Sequence, residues 1–149
     1  MEIKVFTKDM QGHDFYGYLG PYFADRSIME EMTLPLYNEP GGTWFVGFDG
    51  EKIAGFCCLF ENKRSAKNLK GDGYIYFDNF YIPPEYRGNG YSKELFEYRQ
   101  KHTEQNYKGW IIEAMSRDPR QIKNYEKSGF IVTGKRGSYK LFRKEIQNE

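Results

Sequence analysis

The chain has 149 residues, 29% charged and 39% hydrophobic, and 22 Lys and Arg against 21 Asp and Glu leave a formal charge of +1. The length suits one domain, residues 1–149, and a chain of this size buries roughly 70% of its unfolded surface. The balanced charge excludes a polyanion binder that relies on global charge, and a mean hydropathy of −0.80 with no long apolar run excludes a transmembrane span.

The opening Met1-Glu2-Ile3-Lys4-Val5 is not followed by a signal-like apolar segment. The aromatic share is high, 18% from 13 Tyr, 12 Phe and 2 Trp, which marks a folding chain. Ile3 to Thr7 alternates and predicts a first strand. Gly12 to Asn38 is Gly-punctuated and aromatic-rich, with a helical patch over Ser27 to Met32 that Asp25 or Ser27 caps. Pro35, Pro40, Gly41 and Gly42 break the chain. Thr43 to Phe48 is a strand, Asp49-Gly50 a hairpin turn, and Lys52 to Phe60 a central returning strand, apolar on both faces. Glu61 to Gly73 reads as a polar, basic loop, and Tyr74 to Ile82 as a long strand ended by Pro83-Pro84.

A glycine-rich turn, Glu85 to Ser92, opens a helix running to about Gln105, with Tyr91, Leu95, Phe96 and Arg99 at helical spacing. Trp110 to Met115 is a strand. Asp118 caps a helix with Pro119 at its first position, which runs to Ser128 and stops at Gly129. Ile131 to Lys135 and Ser138 to Arg143 form a closing hairpin around Gly137. The order β, α, α, β, β, β, α, β, α, β, β mixes hairpins with strand–helix–strand crossovers. It predicts an α/β fold with one mixed, mostly antiparallel sheet flanked by helices.

Cys57 and Cys58 are adjacent, so on a strand they point to opposite faces and are poorly placed to bridge. They suit a buried strand in a reducing cytosol, and a cytoplasmic location is expected. His13 and His102 lie far apart without ligand spacing, so no metal is expected.

The chemistry concentrates at Arg87-Gly88-Asn89-Gly90-Tyr91-Ser92. A strand that ends at a glycine turn and flows into a helix gathers unpaired N–H groups and the positive end of the helix dipole, a site for phosphate or pyrophosphate. Gly88 and Gly90 permit close approach, and Arg87 adds a charged fork. The third glycine of a dinucleotide fingerprint is missing, and no Gly-Lys-Ser/Thr follows as in a P-loop. The plain alternative is a strand-to-helix turn with a surface Arg.

These residues resemble the GCN5-related N-acetyltransferases, the GNAT superfamily. Phe80-Tyr81-Ile82-Pro83-Pro84 matches that family's strand end, and Arg87 to Ser92 its acetyl-CoA turn, with Ser92 in place of a Gly or Ala. Asp118-Pro119-Arg120 through Tyr125-Glu126-Lys127-Ser128-Gly129-Phe130 is similar to its second CoA-binding helix, with Asp118 for Asn and Gln121 for Ala. The resemblance is strong over Tyr74 to Phe130 and reasonable over the Trp44 to Phe60 hairpin; residues 1 to 42 carry no motif.

The resemblance implies direct attack of an amine on the acetyl-CoA thioester. It makes the Ile82 N–H the donor to the carbonyl, and a bulge over Asp78 to Phe80 the source of backbone groups for pantetheine. Gly88, Asn89, Gly90, Tyr91 and Ser92 then hold the pyrophosphate, Phe80, Ile82, Arg87, Asp118 and Tyr125 complete the cofactor-binding set, and Tyr125 is the general acid. Asp78 is the first candidate base, with Glu113 or an ordered water as alternatives. Tyr76 and Asp78 share a face if no bulge intervenes.

Tyr16, Tyr18, Tyr22, Phe23 and Tyr37 lie where the family's acceptor lid forms, and Glu30, Glu31 and Glu39 suit a cationic amine. The expected acceptor is a primary amine on a small molecule, then a peptide or protein lysine. Lys135, Arg136, Lys140, Arg143 and Lys144, with Tyr139 and Phe142, keep a nucleic-acid-directed member of the fold open as the alternative, though the net charge disfavours it. A non-catalytic acyl-CoA-binding module is a third reading. No membrane partner is expected. Homodimers are frequent in the family, but no feature here demands one.

Overall fold

The computed structural model describes residues 1–32, 34–65 and 70–148. Its elements are β1 (Glu2–Phe6), α1 (His13–Phe23), α2 (Arg26–Met32), β2 (Gly42–Asp49), β3 (Lys52–Lys63), β4 (Lys70–Tyr81), α3 (Tyr91–Asn106), β5 (Ile111–Ser116), α4 (Pro119–Lys127), β6 (Ile131–Arg136) and β7 (Tyr139–Glu145). One 7-stranded sheet runs in the order β1-β2-β3-β4-β5-β7-β6. Its neighbours are antiparallel except β4 and β5, which α3 joins as a parallel crossover.

The sheet is covered on both faces, because its inner strands carry apolar residues on both. Phe45, Cys57, Ile75 and Phe77 pack with Leu95 and Phe96 of α3 and Tyr125 of α4. Their chain neighbours Trp44, Cys58 and Tyr76 pack with Phe15 and Leu19 of α1 and Ile28 of α2. Cys57 and Cys58 accordingly sit in different cores, both buried as free thiols.

The caps follow their side chains. Asp25 Oδ1 accepts from Ser27 N (2.9 Å) and Ser27 Oγ (2.6 Å), so Asp25 rather than Ser27 starts α2. Asp118 Oδ1 accepts from Arg120 N at 2.9 Å, and Gly129 stops α4 at φ 86°. Helix α1 has no counterpart of defined bounds among the elements expected from sequence, because Gly17, Gly20 and Pro21 all weaken a helix. Burial of Phe15 and Leu19, four residues apart on one face, compensates.

The expected loop over Glu61 to Gly73 is corrected. β3 runs on to Lys63 and β4 starts at Lys70, with Glu61 opposite Ile75 and Lys63 opposite Lys70; residues 66–69 lie outside the described set. Tertiary partners satisfy the polar side chains of this extension. Tyr107 Oη donates to Glu61 (2.7 Å), and Gly73 N donates to Asn62 Oδ1 (3.1 Å). Lys63 is buried, pairs with Glu39 at 2.8 Å and lies over the rings of Tyr37 and Phe60.

Candidate active site

β4 and β5 are paired only from Tyr74↔Ile111 to Tyr76↔Glu113. Beyond that point β4 continues to Tyr81 along β3, while β5 continues to Ser116 along β7. The sheet therefore opens into a V. A cleft of about 710 Å³ fills it, walled by Phe77 to Ile82 on one side and Met115 to Asp118 on the other.

A bulge shapes the first wall. Cys58 faces Asp78 and Phe56 faces Tyr81, so β4 holds one residue more than β3 across this interval. Asn79 takes the strain at φ 53°. It is 1% exposed, and its amide Nδ2 donates to the Tyr37 carbonyl (2.8 Å) and Cys58 Sγ (3.1 Å) while Oδ1 accepts from Tyr37 N (3.3 Å). The extra residue reverses the strand's parity. Tyr76 lies on the α1/α2 side, yet Phe80 and Ile82 lie on the α3/α4 side, where strict alternation excludes them. The expected bulge over Asp78 to Phe80 is thus present. Because it falls after Asp78, Tyr76 and Asp78 line one chamber together.

The turn before α3 closes one end of the cleft through Arg87, Gly88, Gly90, Tyr91 and Ser92. Gly88 and Gly90 have φ of 83° and 80°, and a side chain on either meets only open space. Glycine is needed there for backbone conformation. The N-cap of α3 makes no side-chain hydrogen bond. Asn89 does not line the cleft; its Nδ2 turns back to the Tyr86 carbonyl at 3.1 Å. Arg87 is also engaged locally, with Nε on the Ile82 carbonyl (2.9 Å) and Nη2 paired with Glu31.

Tyr125 reaches the cleft from α4. Its ring is 2% exposed, stacked on Phe142 and edge-on to Phe96 and Phe130. Its hydroxyl accepts from Arg99 Nη2 at 3.3 Å. Burial pushes its pKa up, and the Arg99 charge and hydrogen bond oppose that push. The sequence places Arg99 in an apolar stripe and suggests no role for it. A charged residue at a core-facing helical position was the available signal.

Asp78 lines both the cleft and a second chamber of about 1060 Å³, as do Met115, Leu34 and Tyr139. Burial pushes its carboxyl from 3.8 up to about 6, against hydrogen bonds from Asn79 N and Tyr37 and the charges of Lys63 and Arg99. Asn79 N donates at 2.7 Å. Glu113 is placed differently. It is 4% exposed and lines neither cavity. It accepts from Arg64 (2.9 and 3.1 Å), Arg143 (2.9 and 3.3 Å) and Ser65 N (3.2 Å). Burial raises its pKa, but these bonds outweigh burial and hold it below the usual value.

The acceptor-side residues separate. Tyr37 and Glu39 line the second chamber and Glu31 the cleft. Tyr22 and Phe23 pack on Phe56 and Trp44 instead, and Tyr16 and Tyr18 lie outside both cavities. The basic group divides too. Arg143 pairs with Glu113, and Lys144 pairs with Glu104 at 2.6 Å and donates to the Ser128 carbonyl. That removes two of its five charges from any phosphate-binding patch. Among the described residues no cluster of His, Cys, Asp or Glu is arranged to hold a metal ion, and no helix is long and apolar enough to cross a membrane.

Residues 9–130 match the model of the acetyltransferase (GNAT) family. Solved structures share the fold at low identity. ElaA of Escherichia coli superposes with a TM-score of 0.69 at 11% identity, over 97% of this chain and 99% of that one. An acyl-CoA N-acyltransferase from Pseudomonas aeruginosa gives 0.68 at 11%, over 96% and 98%. The PaiA N-acetyltransferase of Thermoplasma acidophilum, solved with coenzyme A, gives 0.55 at 14%, over 97% and 99%. No curated protein matches.

Proposed function

Since the chain belongs to the acetyltransferase (GNAT) family, we propose that residues 1–149 act as one cytosolic N-acetyltransferase that moves an acetyl group from acetyl-CoA to a primary amine. The single observation that carries this reading is the V between β4 and β5, which ends at a bulge and shares Asp78 as a wall with a second chamber. The fit to an acyl-CoA rests on this chain's own groups. The glycine turn and the start of α3 offer backbone donors for a pyrophosphate. The bulged strand edge over Asp78 to Phe80 offers backbone partners for an amide-bearing arm. Both cavities fall near the size range of small-ligand sites.

In this reading Ile82 N–H polarises the acyl carbonyl. Asp78, facing the second chamber, takes a proton from the incoming ammonium. Tyr125, on the opposite wall, gives one to the departing sulfur. Glu113 is set aside as base because guanidinium and backbone donors occupy its carboxylate. The chamber beside Asp78, lined by Tyr37, Glu39, Tyr76 and Lys63, favours a small amine as acceptor ahead of a peptide or protein lysine.

Thermal unfolding with acetyl-CoA, against NAD and ATP as controls, tests the donor. A ligand at a hundredfold over its Kd adds about 2.7 kcal/mol. Selective stabilisation by acetyl-CoA, abolished in Gly90→Glu, is expected. No shift at millimolar acetyl-CoA would overturn the reading. Release of free thiol across a panel of amines then identifies the acceptor.

A further inference from the structure

Arg99 is the least expected side chain in the molecule. It projects from α3 into the core and is 1% exposed. Nη1 donates to the Cys58 carbonyl (3.1 Å) and reaches the Asp78 carbonyl (3.5 Å), the pair that borders the bulge. Nη2 donates to Tyr125 Oη, and the guanidinium lies over Phe77 at 4.0 Å and Phe80 at 5.3 Å. Among the described residues no carboxylate lies within ion-pair distance of it, and its Nε has no hydrogen-bond partner.

A guanidinium stays charged wherever it is placed, and a buried charge without a counter-ion is costly. Ring faces offset part of that cost. A neutral side chain would plug the bulge at lower cost, so the charge itself needs an explanation. The cleft supplies one, because Arg99 lines it beside Tyr125, where negative charge develops as a thioester is cleaved.

We infer that Arg99 is a positioning residue of the transfer step: it holds the Tyr125 hydroxyl toward the cleft and provides the positive charge against which Tyr125 gives up its proton. The inference rests on the proposed role of Tyr125 as general acid. In the step, the amine nitrogen bonds to the acyl carbon, the carbon–sulfur bond breaks and its electron pair leaves on sulfur. Tyr125 Oη–H protonates that sulfur, and the resulting phenolate keeps the hydrogen bond from Arg99 Nη2. Asp78 has by then taken one proton from the ammonium and released it to solvent, so that a neutral amine attacks; the surplus proton that the nitrogen carries after attack passes to Asp78 in turn. Solvent then takes a proton from Asp78 and returns one to Tyr125.

The titratable groups whose charge acts on Tyr125 are Arg99 from α3, Cys57 from β3, Asp78 from β4 and, across the sheet, Tyr76 from β4. Burial pushes the Cys57 thiol up to about 11 and also raises the Tyr76 phenol, so both are neutral at neutral pH. Asp78 is anionic there and works against phenolate formation. Arg99 alone of the four favours it.

The test compares Arg99→Met, Arg99→Lys, Tyr125→Phe and the double variant Arg99→Met/Tyr125→Phe by thiol release at saturating acetyl-CoA, with acetyl-CoA affinity from calorimetry. Arg99→Met is expected to lose about 10- to 100-fold in kcat, less than the roughly 10²- to 10⁴-fold of a whole general acid because Tyr125 itself remains, with Kd for acetyl-CoA little changed. Arg99→Lys is expected to recover most of that loss, and the double variant to be no slower than Tyr125→Phe alone. The alkaline limb of kcat, where the acid loses its proton, moves to higher pH in Arg99→Met. An unmoved limb, or losses that multiply in the double variant, would overturn the inference. Should Arg99→Met not fold, Arg99→Gln carries the limb measurement: a limb moved to higher pH supports the inference, and an unmoved one overturns it. If the wild type binds acetyl-CoA but acetylates no amine, the transfer reading itself falls and takes the inference with it. Amine turnover with an unmoved limb removes the inference alone.

Discussion

Asp78→Asn separates what Asp78 costs the fold from what it does for the reaction. Burial raises the carboxyl from 3.8 to about 6 in the folded chain. The folded value lies above the unfolded one, so ionisation opposes folding. The stabilising contribution is complete below the unfolded value and is lost as pH rises through about 6. At 1.36 kcal/mol per unit, the full penalty above neutrality is about 3 kcal/mol. An amide removes it while its carbonyl still accepts from Asn79 N and its NH₂ meets the Tyr37 hydroxyl oxygen, which also accepts from Lys63 Nζ at 2.6 Å. Asp78→Asn should therefore be more stable at pH 7.5 by up to about 3 kcal/mol, or about 6–12 °C in Tm for a chain of this length. That advantage should shrink progressively toward pH 4.5. The same variant should lose about a hundredfold in kcat/KM, together with the acid limb near pH 6. Denaturant melts across this pH range and a kcat/KM profile measure both. A stability gap independent of pH would refute the burial argument, and an acid limb surviving in the variant would refute Asp78 as base.

Two further outcomes follow from the walls of the cleft. Asn79→Ala strips partners from the half-buried backbone groups of Tyr37 and should cost about 1–3 kcal/mol in urea melts, with kcat falling as the bulge loosens; an unchanged midpoint would show that solvent replaces the amide. Gly55→Ala places a methyl group against Ile82 Cδ1, 2.9 Å from Leu95 Cδ1 and 3.2 Å from the Tyr81 carbonyl. Overpacking there should cost about 1–3 kcal/mol and raise KM for acetyl-CoA through the displaced Ile82, whereas a wild-type KM would mean that Ile82 does not set the donor's position.

Much of the fold was legible because its signals are local. Alternation marked the strands, Asp118-Pro119 and Gly129 bounded α4, and the adjacent cysteines announced a strand buried on both faces. The turn at Gly88 and Gly90 was equally plain, since positive φ at two glycines is a property of the backbone itself. Where Glu61 to Gly73 read as a loop, the sequence was polar enough to suggest one. The partners that make it strand, Tyr107 for Glu61 and Tyr37 with Glu39 for Lys63, come from distant parts of the chain.

The site depended on relations that no single segment contains. The V exists because β4 and β5 stop pairing after Tyr76↔Glu113 while each keeps its other neighbour. Composition alone does not distinguish Asp78 from Glu113. One carboxylate faces two cavities, and the other is held by two guanidinium groups. Residue order alone fixes which side chains the elements carry and where a glycine turn opens α3. Tertiary structure alone decided which faces those residues present. A single extra residue at Asn79 reverses the strand's parity, turning Phe80 and Ile82 toward the α3/α4 side while Asp78 stays with Tyr76 on the chamber side.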